Sequence, residues 1–166
     1  MDRAINNAHR VRGTTAPNPW VGAVILNSDG ETFDGATSPP GGPHAERVAI
    51  DLAGPEARGA TLFTTLEPCC HEGRTPPCVS QIIESGVSRV VIGITDPDPH
   101  VSGRGISALR DAGIEVVEGV RKRQIADQLE PYLYQRATGK PWVVLKMALT
   151  MDGRTAAPDG SCEWIT

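Results

Sequence analysis

The sequence is poor in aromatic residues, with two Phe, two Tyr and three Trp among 166, and it has no surplus of positive charge, its formal net charge being −4. A surface that grips nucleic acid needs excess Lys and Arg for the phosphates, with aromatic platforms between them where single strands are bound. No basic stripe with interleaved aromatics is present, which argues against nucleic acid as the main partner. Local basic residues remain available for one small anionic substrate. No apolar run approaches the ~20 residues of a membrane-spanning helix, and Met1 to Arg12 carries no signal-peptide apolar region. The expectation is a cytoplasmic chain without a membrane partner. Internal repeats and low-complexity segments are also missing.

Cysteine is scarce and oddly placed. Of four, Cys69 and Cys70 are adjacent, Cys78 follows nine positions after Cys69, and Cys162 lies near the end. That spacing is not the framework of a small disulfide-stapled domain, and in such a chain metal binding or free thiols are the expected fate. The 39% hydrophobic and 22% charged content describe an ordinary soluble globular protein. A length of 166 residues is one domain's worth with a short appendage.

Apolar spacing predicts a short amphipathic helix over 2–12, then a Pro/Asn loop from Thr14 to Pro19. Val21 to Leu26 reads as a buried strand, Asn27 to Gly30 as a turn and Glu31 to Gly35 as a return strand. A turn from Ser38 to Pro43 delivers the chain to a helix over 45–53. Strands follow at 60–66, 87–95 and 114–117, the last on an edge. Helices are expected at 77–85, stopped by Gly86, at 105–112, stopped by Gly113, and at 124–138. This order implies an α/β fold, a three-layer α/β/α sandwich around a mixed sheet of about five strands. Glu67 to Cys70 then lies at the C-terminal end of a strand, where open α/β sheets place their ligands. Residues 139–166 do not fit this unit: 139–141 read as a linker and Trp142 to Leu149 as one more strand. A lone strand exposes an unpaired edge, which invites pairing between two copies of the chain as a homodimer.

The chemistry is concentrated between Gly41 and Cys78. A hydrolytic zinc site needs three protein ligands, an open position for water and a proton carrier. His44-Ala45-Glu46 follows a Gly-Gly-Pro turn at a helix start, and by itself such a triplet is usually a surface His and Glu. Cys69 follows Pro68 at a strand end, and Cys78 follows Pro76-Pro77 at a helix start, where a thiolate is favoured. Buried free cysteines are usually small apolar side chains. Two Pro-preceded cysteines downstream of His-x-Glu instead point to Zn2+ held by His44, Cys69 and Cys78. Two thiolates and a neutral imidazole leave the ion a weak Lewis acid, so its water needs a dedicated base. Glu46 is placed to take that proton and return it to a leaving nitrogen. The pattern is the zinc deaminase signature, with eight residues between the cysteines in place of two.

Three segments carry a resemblance to a family: Asn18-Pro19-x-Val21-Gly22-Ala23-Val24, His44-Ala45-Glu46, and Thr65-Leu66-Glu67-Pro68-Cys69-x-His71-x-Gly73-Arg74-Thr75-Pro76-Pro77-Cys78. They resemble the bacterial riboflavin-biosynthesis deaminase, usually the N-terminal half of a bifunctional deaminase/reductase, as does Asp96-Pro97-x-Pro99-x-Val101-x-Gly103-x-Gly105. The resemblance covers residues 1–138. It implies a cytidine deaminase-like fold and a hydrolase acting on a cyclic amidine, with a small phosphorylated pyrimidine, 2,5-diamino-6-ribosylamino-4(3H)-pyrimidinone 5′-phosphate, as substrate and ammonia as product. Asn18 matches a base-binding amide, His71 and Arg74 match ribose- and phosphate-contacting positions, and Asp96 matches a substrate-loop acid. Leu145-Lys146, Asp152-Gly153-Arg154 and Trp164-Ile165-Thr166 are similar to the opening of the reductase half, so 139–166 are expected to be a linker and the truncated start of a reductase-like domain.

Three positions depart from the family pattern. Asp98 stands where Asn is frequent, which turns an amide donor into a carboxylate that repels phosphate. Thr37 stands where many relatives have His, and Cys70 replaces the usual Ser. Two other readings stay open on residues alone: a deaminase of another nucleobase, nucleoside or antibiotic, and an inactive structural zinc module. Glu46 speaks against the second, because it contributes nothing to holding a metal.

Overall fold

The computed structural model describes residues 1–71 and 76–162. The Val, Ile and Leu runs of the sequence become five strands: β1 (Gly22–Leu26), β2 (Thr32–Ala36), β3 (Thr61–Leu66), β4 (Arg89–Ile94) and β5 (Glu115–Glu118). They lie in the order β2-β1-β3-β4-β5. β1 is antiparallel to both β2 and β3, while β3, β4 and β5 are parallel. The sheet is therefore mixed, with β5 on an edge, as the sequence predicts.

Register assigns the two faces. Ala23 pairs with Gly35 and Thr64, and Leu62 pairs with Ile25 and Val90, so these side chains share one face. That face carries α2 (Ala45–Ala53), α3 (Cys78–Ser85) and α4 (Arg104–Asp111), which pack side by side. On the opposite face lie α1 (Asp2–Arg10), against β1, and α5 (Lys122–Gln128), against β4. The result is three layers, α/β/α, and Ile25, Leu62, Val90, Ile82, Ile92 and Leu109 fill the core with essentially no exposure.

Local chemistry accounts for most boundaries. Gly86 takes the left-handed conformation that ends α3 (φ 75°). Gly35 matters for space instead, since a Cβ there would lie 2.0 Å from the Ala45 carbonyl oxygen and 2.8 Å from the Ala49 nitrogen. The missing side chain lets the first turn of α2, which carries His44 and Glu46, settle directly on β2.

Two expectations need correction. The single helix over 124–138 is two helices, α5 and α6 (Glu130–Thr138), broken at Leu129 (φ −92°, ψ 9°) with Pro in the first turn of α6. Pro131 has no N–H to continue the ladder, and its ring clashes with the carbonyl one turn back. The strand at Trp142 to Leu149 does not form; residues 140–150 have no regular structure and are exposed. β-branched residues favour a strand only where another strand pairs with it, and none of the described residues does so. A short 3₁₀ turn, Gly54–Ala57, is an addition to the expected elements.

Gly35→Ala is expected to destabilise the fold by about 1–3 kcal/mol through overpacking against α2. Urea unfolding measures it, and an unchanged midpoint would show that α2 shifts without penalty.

Candidate active site

Because β1 runs against β3 and β4, the start of β1 and the ends of β2, β3 and β4 meet at one edge of the sheet. The starts of α2 and α3 arrive at the same edge. A cavity of about 340 Å³ opens there, lined among others by Asn18, Thr37, His44, Glu46, Cys69 and Asp96.

His44 is the N-cap residue of α2, in extended backbone, and no side-chain cap bond occupies its ring. Cys78 is the first residue of α3, after Pro77 at the N-cap. Cys69 lies three residues beyond β3 and accepts a hydrogen bond from the Cys78 backbone N–H at 3.3 Å. The His44, Cys69 and Cys78 ligand atoms all lie within 4.8 Å of one another. His44 Nδ1 stands 3.3 Å from Cys78 Sγ and 3.6 Å from Cys69 Sγ. Tetrahedral zinc with its usual bond lengths holds an imidazole nitrogen and a thiolate roughly 3.6 Å apart. The donor set, one imidazole and two thiols at tetrahedral spacing, fits zinc.

Charge is distributed unevenly over these groups. A hydrogen bond from the Cys78 thiol, joined by those from His44 and the backbone and opposed by burial, brings the Cys69 thiol down to about 4. The same bond, with burial and the Glu46 charge, pushes the Cys78 thiol far up. His44 is raised, chiefly by its bond to Cys69. A metal takes cysteine as the thiolate, so its entry would release a proton from this pair.

Glu46 is buried, with 4% exposure, in the first turn of α2. The Thr64 hydroxyl stands 3.1 Å from its Oε1, and Cys78 Sγ stands 3.7 Å from its Oε2. Burial foremost, and then the Cys69 charge, raises its pKa. A carboxyl group moved toward neutrality is suited both to take a proton and to return it.

The remaining expected residues divide. Asn18, His71, Asp96 and Asp98 all line the cavity. Asn18 is set by its backbone: its N–H donates to the Thr15 carbonyl, and its own carbonyl accepts from the Thr15 hydroxyl, both at 2.9 Å. Asp96 is buried and accepts from Tyr132 Oη at 2.9 and 3.0 Å and from the Asp98 N–H at 2.9 Å. Its pKa is raised, with burial the main cause. Asp98 accepts from the His100 N–H at 2.9 Å and lies 3.4 Å from Arg136 Nη1. Its charge is thus offset from two sides, and its pKa falls, chiefly through the His100 N–H. Thr37 lines the cavity, yet its hydroxyl is engaged by the Val21 N–H at 3.0 Å and the Val21 carbonyl at 3.3 Å. Arg74 lies outside the described residues.

Sequence reasoning misses three residues. Glu67 stands in the sequence only as part of a motif, but its buried carboxylate accepts from the N–H groups of Asp96, Gly103, Gly105 and Ile106, at 2.9–3.2 Å. It ties the end of β3 to the Asp96 loop and the start of α4. A Cβ on Gly105 would lie 2.3 Å from the Pro68 carbonyl oxygen, so that seam closes only on glycine. The position of Glu67, an acid at a strand end before Pro, is the one signal the sequence offers. Tyr132 and Arg136 of α6 also line the cavity. Their i, i+4 spacing puts them on one helix face, although nothing in the sequence says which way that face looks.

Residues 1–94 match the cytidine and deoxycytidylate deaminase zinc-binding region. The Escherichia coli (strain K12) riboflavin biosynthesis protein RibD is 46% identical over 167 residues, covering 100% of this chain and 45% of that protein. Among solved structures, Acinetobacter baumannii RibD (form 1) superposes with a TM-score of 0.92 at 44% identity, covering 100% of this chain and 47% of that one. A Thermotoga maritima diaminohydroxyphosphoribosylaminopyrimidine deaminase/5-amino-6-(5-phosphoribosylamino)uracil reductase gives 0.90 at 44% identity, covering 100% and 48%. The chain spans about half the length of the relatives it matches.

Glu67→Ala leaves up to four backbone N–H groups without their acceptor and is expected to cost at least ~3 kcal/mol. Amide hydrogen exchange at Gly103, Gly105 and Ile106 should accelerate; protection equal to wild type would show that the carboxylate does not hold the loop.

Proposed function

Since the chain belongs to the cytidine and deoxycytidylate deaminase zinc-binding family, we propose that it hydrolytically deaminates 2,5-diamino-6-ribosylamino-4(3H)-pyrimidinone 5′-phosphate in riboflavin biosynthesis. One observation carries the reading: a buried carboxylate that is not among the three zinc-fitting donors lines the same cavity as two of them, His44 and Cys69. A purely structural zinc site has no use for Glu46. The names and roughly 45% identity of the relatives support the choice of substrate.

His44, Cys69 and Cys78 would hold the zinc, which when bound polarises water and supplies Lewis acidity. Glu46 accepts the proton that water loses as its oxygen adds to the ring carbon bearing the 2-amino group. It delivers that proton to the ring nitrogen, where it stays, and then carries the hydroxyl proton of the adduct to the departing amine. The C–N bond breaks, a carbonyl forms and ammonia leaves. Thr64 holds the Glu46 carboxyl in register during both transfers. In this reading Asn18 and Asp96 orient the base and His71 and Asp98 meet the ribose phosphate, a role the family pattern also gives Arg74.

Residues 139–166 we read as the linker and the opening of a reductase-like unit. The exposure of Val143, Val144 and Leu145, 77–79%, supports this reading, since apolar side chains of this kind favour burial.

Glu46→Ala should retain about one zinc per chain while losing ammonia release by at least ~100-fold; turnover near wild type would remove Glu46 from the mechanism. Arg74→Ala should raise the Michaelis constant for the phosphorylated substrate by roughly tenfold or more and leave the dephosphorylated form unaffected. Equal effects on both would favour a substrate without phosphate.

A further inference from the structure

The cavity presents a charge problem. Four carboxylates line it, those of Glu46, Glu67, Asp96 and Asp98, and a phosphorylated substrate must enter beside them. Among the described lining residues, Arg136 is the sole Lys or Arg. We infer that Arg136 is a specificity-determining residue, which binds the anionic end of the substrate and exchanges Asp98 for it. The inference rests on the reading of the substrate given above.

Arg136 is built for this exchange. Its guanidinium lies over the Tyr132 ring, 5.4 Å from the centroid, and that stacking sets the plane of the fork. Tyr132 is itself fixed, its hydroxyl donating to Asp96. The approach of Arg136 Nη1 to Asp98 Oδ2 is 3.4 Å, longer than a charge-assisted hydrogen bond of about 2.7–2.9 Å. Asp98 does not depend on it, because Asp98 Oδ1 takes the His100 N–H at 2.9 Å and faces His100 Nδ1 at 3.1 Å. The Arg136 side chain is 39% exposed, so it can turn toward an incoming anion without leaving a buried charge alone. A phosphate monoester offers that fork two oxygens in the bidentate geometry guanidinium prefers.

The test uses the full 166-residue chain loaded with zinc. With the phosphorylated pyrimidine, Arg136→Gln should raise KM roughly ten- to a hundredfold and leave kcat near wild type. KM for the dephosphorylated compound should not move. Arg136→Lys, which keeps the charge and loses the fork, should fall between. Asp98→Asn, which frees Arg136 from its counter-ion, should lower KM for the phosphorylated substrate only. Losses shared by both substrates, or a fall in kcat with KM unchanged, would overturn the inference and reduce Arg136 to a structural partner of Asp98. If Arg136→Gln does not fold by circular dichroism, Arg136→Lys and Asp98→Asn decide the matter by the same criteria. Calorimetric titration with ribose 5-phosphate, which has no ring to deaminate, separates this inference from the activity. Binding that Arg136→Gln abolishes, in a chain that releases no ammonia from the pyrimidine, would sink the deaminase reading and keep the anion site. Turnover with binding indifferent to Arg136 would do the reverse, and neither turnover nor binding would sink both.

Discussion

Two thiols, an imidazole and a carboxylate crowded into one partly buried corner cannot all take their charged forms without cost, and the rest of the site is arranged around that conflict. Without a metal the groups diverge: their mutual contact draws the Cys69 thiol down and pushes the Cys78 thiol up, and burial draws the Glu46 carboxyl toward neutrality. A dication resolves it differently, replacing the thiol proton and leaving net charge near zero on the ion and its three ligands. Glu46 then remains as the acid outside the donor set, the group proposed above to carry the proton. Metal binding and proton transfer follow from one electrostatic constraint.

That crowding needs a stiff frame, since the three donors come from three places in the chain. His44 and Cys78 sit at the starts of two helices on the same face of the sheet, and Cys69 follows the strand between them. Gly35 lets α2 close on β2, and the Glu67 carboxylate gathers backbone N–H groups from the Asp96 loop and α4. A carboxylate that accepts several backbone hydrogen bonds is a fixed structural anchor. The two acids at the end of β3 and in α2, Glu67 and Glu46, therefore differ: one is committed to backbone, the other stands beside the zinc-fitting donors.

Much of this is legible in the sequence, and for identifiable reasons. The helix over 45–53 and the strands around Leu62 and Val90 carry strong apolar periodicity bounded by Gly and Pro, so local signals and tertiary packing agree. The zinc-fitting triad is legible because donor chemistry is restricted to few residue types and each donor sits next to proline. What escapes depends on three-dimensional neighbours. Pro131 splits the last helical stretch although the apolar spacing runs through it, and Trp142 to Leu149 has strand composition but no strand among the described residues to pair with. Glu67 resembles any acid before a proline until its four N–H partners are seen. Tyr132 and Arg136 carry no mark of a site at all, because a helix face becomes a cavity wall only through the way α6 docks.

The same neighbours change how Asp98 should be understood. Taken as a letter in a motif, an acid at a place facing phosphate is a loss, for it repels the ligand. In the folded chain the acid accepts from the His100 N–H and lies 3.4 Å from Arg136 Nη1, so its charge is partly offset before any ligand arrives. A neutral amide there would contribute one hydrogen bond to a phosphate. A carboxylate paired with a partly exposed guanidinium acts otherwise: it holds the cation in the pocket and competes with an incoming anion for it. Affinity then depends on the difference between two ion pairs, internal and external, so a ligand without charge has no means to displace Asp98. On the role proposed for Arg136, an acid that repels phosphate thereby sharpens discrimination between phosphorylated and unphosphorylated ligands.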